Sequence, residues 1–547
     1  MKLERALALT SAAILIPLMS FAQAKEAPAK GAGAPAQTDA AAGHFAPESK
    51  TTTGQVTVGG SRIEYDAVAG TLVVHPEGWD DAAAADKGSK GAAGDLGNPT
   101  AEASMFYVAY FKHGATAEAR PLTFLFNGGP GSSTIWLHMG AFGPRRIVTA
   151  EDSHTPAAPY RVVNNDQSLL DASDLVFIDA PGTGFSRIAG QDAEKSFYGF
   201  DPDAHAFAEF VSAFLSKYGR WNSPKYLFGE SYGTPRAAML VSLLQSQYSI
   251  DFNGVIMLSQ ILNFDLFIDG PESNPGVDVA YLLALPTYAA TAWYHHKLPG
   301  PNPPRDLEPF LQEVETFAMG DYAHALAQGA QLTETERDAV ADKLHQYTGL
   351  PVGYILKADL RINGGEFAKT LQQDTDSTTG RLDSRFTGPT IDPLSQKAEY
   401  DPQAAAIAPA YVAAFNDYVR KTLSYGQDKT YRPITPLFQQ WDMKHSQPGA
   451  KRPPFQAPNT MPDLARAMIL NPGLKILLTG GYFDLATPFY QGWYEMHHLT
   501  IPAGLQDNIQ YRYYPSGHMV YANQASLTAL HKDVAAFIES TANQDRK

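Results

Sequence analysis

The sequence predicts an α/β fold: a mostly parallel central sheet covered on both faces by helices, with one large inserted cap. Three observations carry this. Apolar runs of strand length end in turn-forming residues, as where Leu122–Phe126 enters Asn127-Gly-Gly-Pro-Gly and Leu175–Ile178 enters Asp179-Ala-Pro-Gly-Thr-Gly. Between such runs apolar residues recur at helical spacing, at Ala206, Phe207, Phe210, Val211, Phe214, Leu215 and Tyr218. The alternation then stops over residues 263–463 and resumes with strand character at Leu474. An insertion of that size between two core strands reads as a cap over the carboxyl edge of the sheet, where open α/β sheets bind ligands. A separate domain is the competing reading, but both flanks of the insertion carry pieces of one apparent site.

In chain order, residues 1–24 read as an export signal. Lys2 and Arg5 give a charged start, Ala6–Phe21 an apolar stretch, and Ala22-Gln23-Ala24 a small-residue cleavage site. A membrane anchor is the alternative, but Pro17 and polar residues break a run already short for a span. No later segment has about 20 uninterrupted apolar residues, so the mature chain is expected free of the membrane, in the periplasm or secreted. Residues 25–50, rich in Ala, Gly, Pro and Lys, are expected to form a flexible leader.

The first part of the core is expected over residues 51–262. Gln55–Val58, Arg62–Tyr65 and Thr71–Val74 alternate as strands, with Gly59-Gly60 as a hairpin turn. The polar stretch Asp80–Pro99 reads as a surface loop, and Met105–Phe111 resumes as a strand. Beyond the helix around Phe210 come a strand at Tyr226–Phe228, a helix at Ala237–Gln247 and a strand at Gly254–Leu258. The cap, 263–463, contains helical stretches at 306–317, 334–347 and 402–423. Residues 464–547 complete the core, with strands at Lys475–Leu478 and Tyr511–Tyr514.

Composition narrows the function. With 547 residues, a net charge of −15 and no basic stripe, the chain is globular and not a nucleic-acid binder. The absence of cysteine excludes disulfides, thiolate metal sites and cysteine nucleophiles. His295-His296 and His497-His498 are adjacent pairs, which diverge on a helix instead of converging on one ion. Neither a metal nor a cofactor is expected.

The chemistry centres on Gly229-Glu230-Ser231-Tyr232-Gly233, between a predicted strand and a predicted helix. A tight strand-to-helix turn exposes a serine oxygen, and flanking glycines let the backbone pass. A serine nucleophile needs a base, and His518 in Pro515-Ser-Gly-His-Met-Val follows a strand. Asp484, in the loop after Lys475–Leu478, can hold the imidazole in the required tautomer. Taken alone, His518 could be a structural histidine and Asp484 a turn former. The order Ser, Asp, His, each after a strand, is the α/β-hydrolase order. Acyl transfer also needs backbone donors for its oxyanion. The fold takes one from the residue after the nucleophile, Tyr232, and Asn127-Gly-Gly-Pro-Gly is suited to supply another. A phosphate loop is excluded there because no Gly-Lys-Ser/Thr follows. Arg145-Arg146 could attract an anionic substrate terminus, with solvated surface cations as the plainer reading.

Asn127-Gly-Gly-Pro-Gly-Ser-Ser, Asp179-Ala-Pro-Gly-Thr-Gly-Phe-Ser, Gly229-Glu-Ser-Tyr-Gly, the Asp484 loop and Ser516-Gly-His-Met-Val together resemble, in order, the signatures of the serine carboxypeptidase family. The resemblance implies a triad of Ser231, Asp484 and His518, and an oxyanion hole from the backbone of Gly129 and Tyr232. It further implies that the Asn127 side chain, the Gly128 backbone and Glu230 meet the terminal carboxylate of a peptide. The family's usual Cys is Ser132 here, as suits a disulfide-free bacterial-type member; its usual Trp is Leu125; and the acidic partner of the Glu is Ala141. The implied function is removal of C-terminal residues from peptides with a free C-terminus. An esterase or acyltransferase on the same triad is the alternative, because fold and triad do not set the acyl group; a non-catalytic binding protein is a third. Two carboxylates at close range cannot both stay ionised cheaply, so KM for free-acid peptides is expected to rise with pH. With Ala141 in place of an acid, that rise is expected at lower pH than two acids would give.

Overall fold

The structure, a computed structural model, describes residues 43–81, 98–301, 303, 306–450 and 457–542. The expected export signal, most of the expected leader and most of the loop expected at 80–99 lie outside the described residues. Strands β1 (Ser49–Val58) and β2 (Ser61–Val74) form a hairpin, turned at Gly59 and Gly60, whose φ values of 54° and 81° suit a two-residue turn between twisted strands. The alternating runs expected at 62–65 and 71–74 join in one strand of 14 residues. Ser49 and Lys50 pair with Gly70 and Ala69, so the strand begins inside the stretch expected as leader. Backbone pairing against a longer neighbour holds these exposed polar residues, and it leaves no mark in apolar periodicity.

The sheet continues with β3 (Glu102–Lys112), β4 (Leu122–Phe126), β5 (Asp174–Ile178), β6 (Lys225–Glu230), β7 (Gly254–Leu258), β8 (Lys475–Gly481) and β9 (Ile509–Tyr514). The spatial order is β1-β2-β3-β5-β4-β6-β7-β8-β9, with a short strand at Arg187–Ala189 pairing off this path with β3. The first four neighbours in that order pair antiparallel, and every pairing from β5 to β9 is parallel. From β4 the chain steps to β5 on one side and later returns to β6 on the other. The carboxyl ends of β4 and β6 therefore flank the point where the strand order reverses, which is where such sheets open a crevice. This is the α/β-hydrolase fold.

Helices α1 (Phe200–Tyr218) and α2 (Gly233–Tyr248) follow β5 and β6. Between β7 and β8 lie α3 (Val279–Tyr294), α4 (Leu307–Phe317), α5 (Glu334–Thr348), α6 (Pro402–Lys421) and α7 (Met461–Leu470). Helices α8 (Phe489–His497) and α9 (Gln524–Thr541) complete the order. Strand alternation sends Leu125, Phe228, Ile256 and Leu477 to one face of the sheet and Phe124, Leu227, Val255 and Ile476 to the other. On the first face Leu527, Leu530, Val534 and Phe537 of α9 join Ile407, Tyr411 and Phe415 of α6 in one core. On the second lie Phe207, Phe210 and Phe214 of α1 with Leu240 and Leu244 of α2. Helices α3, α4 and α5 pack around a further core that takes in Phe483, Leu485 and Phe489 beside the end of β8. The insertion thus has one part on its own core and another, α6, laid into the core of the sheet. Helix α3 has no apolar stripe to betray it, since every residue from Ala280 to Ala292 is buried. Among the described residues no helix is long and apolar enough to cross a membrane.

Candidate active site

Strand β6 ends at Glu230, and the chain turns into α2 through Ser231, whose φ of 60° is left-handed. Such a conformation costs a non-glycine residue about 1–3 kcal/mol and persists only where the surroundings impose it. Here the Ser231 N–H donates to the Leu258 carbonyl at 3.0 Å, and the Thr234 N–H and hydroxyl both donate to the Ser231 carbonyl at 2.8 Å. A Cβ on Gly229 would lie 2.1 Å from the Gly233 oxygen, and one on Gly128 would lie 2.3 Å from the Tyr232 nitrogen. Only glycine lets the elbow fold so tightly and lets the β4 loop lie against it. Ser231 is part-exposed, at the amino end of α2.

Asp484 and His518 stand in the loops after the neighbouring strands β8 and β9. His518 Nδ1 lies 2.8 Å from Asp484 Oδ2, and both side chains are buried. Asp484 Oδ1 accepts from the N–H groups of Ala486 and Thr487 at 2.9 and 3.0 Å, and the Thr487 hydroxyl donates to Oδ2 at 2.7 Å. These bonds fix the carboxylate, which in turn fixes the imidazole. Burial disfavours a charged His518, but the Asp484 charge and hydrogen bond, helped by Glu230, outweigh it and raise its pKa. The Ser259 hydroxyl at the end of β7 donates to the His518 carbonyl at 2.7 Å, and Leu258 beside it holds Ser231. Ser231 and His518 are thus anchored to the same strand end.

Gly128 and Gly129 lie in the loop after β4, Gly128 buried against the elbow and Gly129 exposed. Asn127 Oδ1 accepts from the Leu137 N–H at 3.1 Å, so its amide nitrogen is left for Glu230 and Tyr521. The Asp179 motif serves this loop too, since Asp179 Oδ1 accepts from the Thr134 N–H at 2.8 Å. Glu230 is buried directly beside Ser231, and burial pushes its carboxyl up to about 7 against the pull of His518, Tyr521 and Asn127. Ala141, where an acid was expected, is fully buried in the apolar core. Burial therefore does what the second acid was expected to do.

Three supports escaped the sequence reading. Arg236 of α2 is fully buried; it pairs with Asp203 of α1 at 2.6 Å, donates to the Asn127 carbonyl at 2.8 Å and lies over the Tyr232 ring. A second is the segment 381–385, within the insertion. Leu382 accepts from the His518 N–H at 2.6 Å, Asp383 from the Gly517 N–H at 3.2 Å, and Phe483 from the Ser384 N–H at 2.9 Å. Asp383 and Arg385 are a buried pair at 2.6 Å. The third is Tyr521, whose hydroxyl donates to Glu230 at 2.8 Å.

The remaining candidates stay apart from this site's chemistry. Arg145 and Arg146 are half-buried on a short strand, with Arg146 acting on Tyr411 of α6. His295 bonds the Ser384 carbonyl at 2.6 Å, and His497 and His498 each bond a carbonyl of their own helix. Among the described residues no group of three or more His, Asp or Glu is arranged to hold a metal ion.

Comparison with known proteins follows the same residues. The serine carboxypeptidase family profile matches residues 90–265, which include Asn127, Gly128, Gly129, Glu230, Ser231 and Tyr232 but not Asp484 or His518. The pheromone-processing carboxypeptidase of Phytophthora infestans is 30% identical over 141 residues, 23% of this chain and 21% of that protein. A serine carboxypeptidase-like protein of Arabidopsis thaliana is 28% identical over 183 residues, 32% of this chain and 34% of that protein. The chain thus spans about a fifth to a third of the length of these relatives. The solved proline iminopeptidase of Mycobacterium smegmatis aligns over 90% of this chain and 99% of its own at a TM-score of 0.32 and 11% identity, too low to add to the topology above. The matched stretch takes in the β4 loop and the elbow, and over these residues the chain is similar to the serine carboxypeptidase family.

Proposed function

We propose that the protein is an exported serine carboxypeptidase that removes the last residue from peptides with a free C-terminus. The observation that carries this reading is a buried, protonatable Glu230 immediately beside a serine held in a strained elbow. Ser231 Oγ attacks the carbonyl carbon of the last peptide bond, and its proton passes to His518 Nε2. Asp484 holds the imidazole in the tautomer that leaves Nε2 free to accept and steadies the imidazolium that forms. The N–H groups of Gly129 and Tyr232 receive the oxyanion, with the amino end of α2 adding its favourable dipole. Collapse breaks the C–N bond, the leaving amine takes the proton from His518, and water then attacks the acyl-enzyme by the same route. Asn127, the Gly128 backbone and protonated Glu230 bind the terminal carboxylate.

The insertion, 263–463, acts as a cap over the two core parts, 51–262 and 464–547. Residues 1–24 act as the export signal of a disulfide-free, bacterial-type member, periplasmic or secreted, so N-terminal sequencing of the exported protein should start near Lys25. Catalysis and substrate class are tested together. A fluorophosphonate should label wild type and not Ser231→Ala, and an N-blocked dipeptide should be cleaved in preference to its C-terminal amide. Ala141 and Leu125, apolar where the family carries an acid and a Trp, favour a second reading, an esterase or acyltransferase. Faster turnover of simple esters, with no preference for a free terminus, would establish that reading instead.

A further inference from the structure

Glu230 has a partner outside the expected carboxylate-binding set. Tyr521 lies in a single turn, Val520–Ala522, three residues after His518. Its hydroxyl reaches both Glu230 oxygens, at 2.8 and 3.1 Å, and both side chains are buried. The Asn127 amide hydrogen-bonds both partners. The expected second acid is absent at Ala141, and the Tyr411 hydroxyl and the Tyr521 ring close over the neighbouring Gly140, where a Cβ would lie 2.5 and 2.8 Å from them. A buried carboxyl among these groups has a tyrosine as its neighbour where a second carboxyl was expected.

We propose that Tyr521 is a specificity-determining residue. Its single hydroxyl hydrogen goes to the nearer oxygen, Oε2 at 2.8 Å, so that the proton Glu230 carries sits on Oε1 and is presented to the terminal carboxylate of a peptide. The inference rests on the carboxypeptidase reading. A tyrosine hydroxyl donates without bringing charge, so the subsite holds one ionisable proton instead of two shared ones. The groups that face Glu230 are His518 and Asp484 from the loops after β9 and β8, Tyr521 itself and Tyr411 from α6, with Arg146 acting on Tyr411. Among these His518 and Tyr521 favour the ionised carboxylate, and burial opposes it.

Two consequences separate this role from mere packing. In wild type, the ratio of KM for a free-acid peptide to KM for its amide should rise tenfold per pH unit above the Glu230 pKa of about 7, the slope of a single proton. Tyr521→Phe removes a donor that favours the carboxylate, so the midpoint should move up by about one pH unit. Below the midpoint, KM for the free-acid peptide should rise about fivefold, because the proton is no longer directed. The test measures KM from about pH 5 to about pH 9 for an N-blocked dipeptide and its amide in both proteins, with melting temperature as the folding control. A Tyr521→Phe profile with the wild-type midpoint and ratio overturns the role of Tyr521 and leaves the carboxypeptidase reading standing. A wild type indifferent to the free terminus overturns both. Should Tyr521→Phe fail to fold, the wild-type slope decides: one proton supports the inference, and two protons overturn it.

Discussion

Ser231 combines a strained backbone, partial exposure and the start of a helix in one residue. Its left-handed φ is held by bonds to Leu258 and Thr234 that involve only its backbone, so the side chain can be changed without releasing the turn. Ser231→Ala should therefore fold as wild type and lose turnover by about a millionfold, the scale on which removal of a triad nucleophile acts. Steady-state assays of the purified variant check this, and retention of a few per cent of activity would assign the nucleophile elsewhere. The elbow was legible in sequence because its demands are local: glycines two residues either side and a strand before a helix. Tyr521 was not, because its partner Glu230 lies 291 positions away.

The segment 381–385 shows an element that acts by bracing others. It bonds the loop of Asp484 through Leu485 and Phe483 and the loop of His518 through Leu382 and Asp383, so Asp484 and His518 share one support from the insertion. Gly517 is where the brace is tightest, since a Cβ there would lie 2.4 Å from Asp383. Its backbone is outside the region that demands glycine, so Gly517→Ala acts through that contact alone. The variant should lose about 1–3 kcal/mol of stability as the overpacked contact is forced apart. It should also lose at least roughly tenfold in kcat, with less change in KM, since small misplacements of a catalytic group are costly. Denaturant titration and steady-state kinetics measure the two effects. An unchanged kcat would show that His518 is positioned without the brace.

At the scale of the whole molecule, the late part of the insertion is strapped to the core by His445. Its Nδ1 bonds Asp201 of α1 at 2.7 Å and its Nε2 bonds Asp463 of α7 at 2.8 Å. Four residues earlier, Trp441 donates to the Tyr232 hydroxyl at 3.0 Å, linking the strap to the elbow. Burial opposes charge on His445, but the two carboxylates outweigh it and push its pKa up to about 9. A histidine raised on folding stabilises fully below its unfolded pKa of about 6.5, and that stability is lost as pH rises through the folded value. The strap should therefore contribute on the order of 3 kcal/mol at pH 6, vanishing above about pH 9. Urea unfolding from pH 6 to pH 10 should show wild type losing this increment and His445→Gln lacking it. Parallel pH dependences in the two proteins would mean that the strap carries no such charge.

Residue order was enough to mark the strand-and-turn rhythm of the sheet, the elbow at Ser231, the succession of Asp484 and His518 and the glycine loop at Asn127. Each rests on residue types at short fixed spacing, and a strand or turn is a local object whose geometry follows from its own residues. Tertiary structure alone decided how those pieces are held: the Asp383–Arg385 brace, the Arg236–Asp203 clamp under Asn127, the His445 strap and the hydroxyl of Tyr521 on Glu230. It also decided that α3 is a helix, because burial on all sides erases the apolar stripe that would mark one. Glu230 makes the division plain. Its position before Ser231 is written in the chain, but its carboxyl is pushed towards the protonated form by burial among groups brought from distant strands and loops, since a charge removed from water is costly whatever its neighbours in sequence.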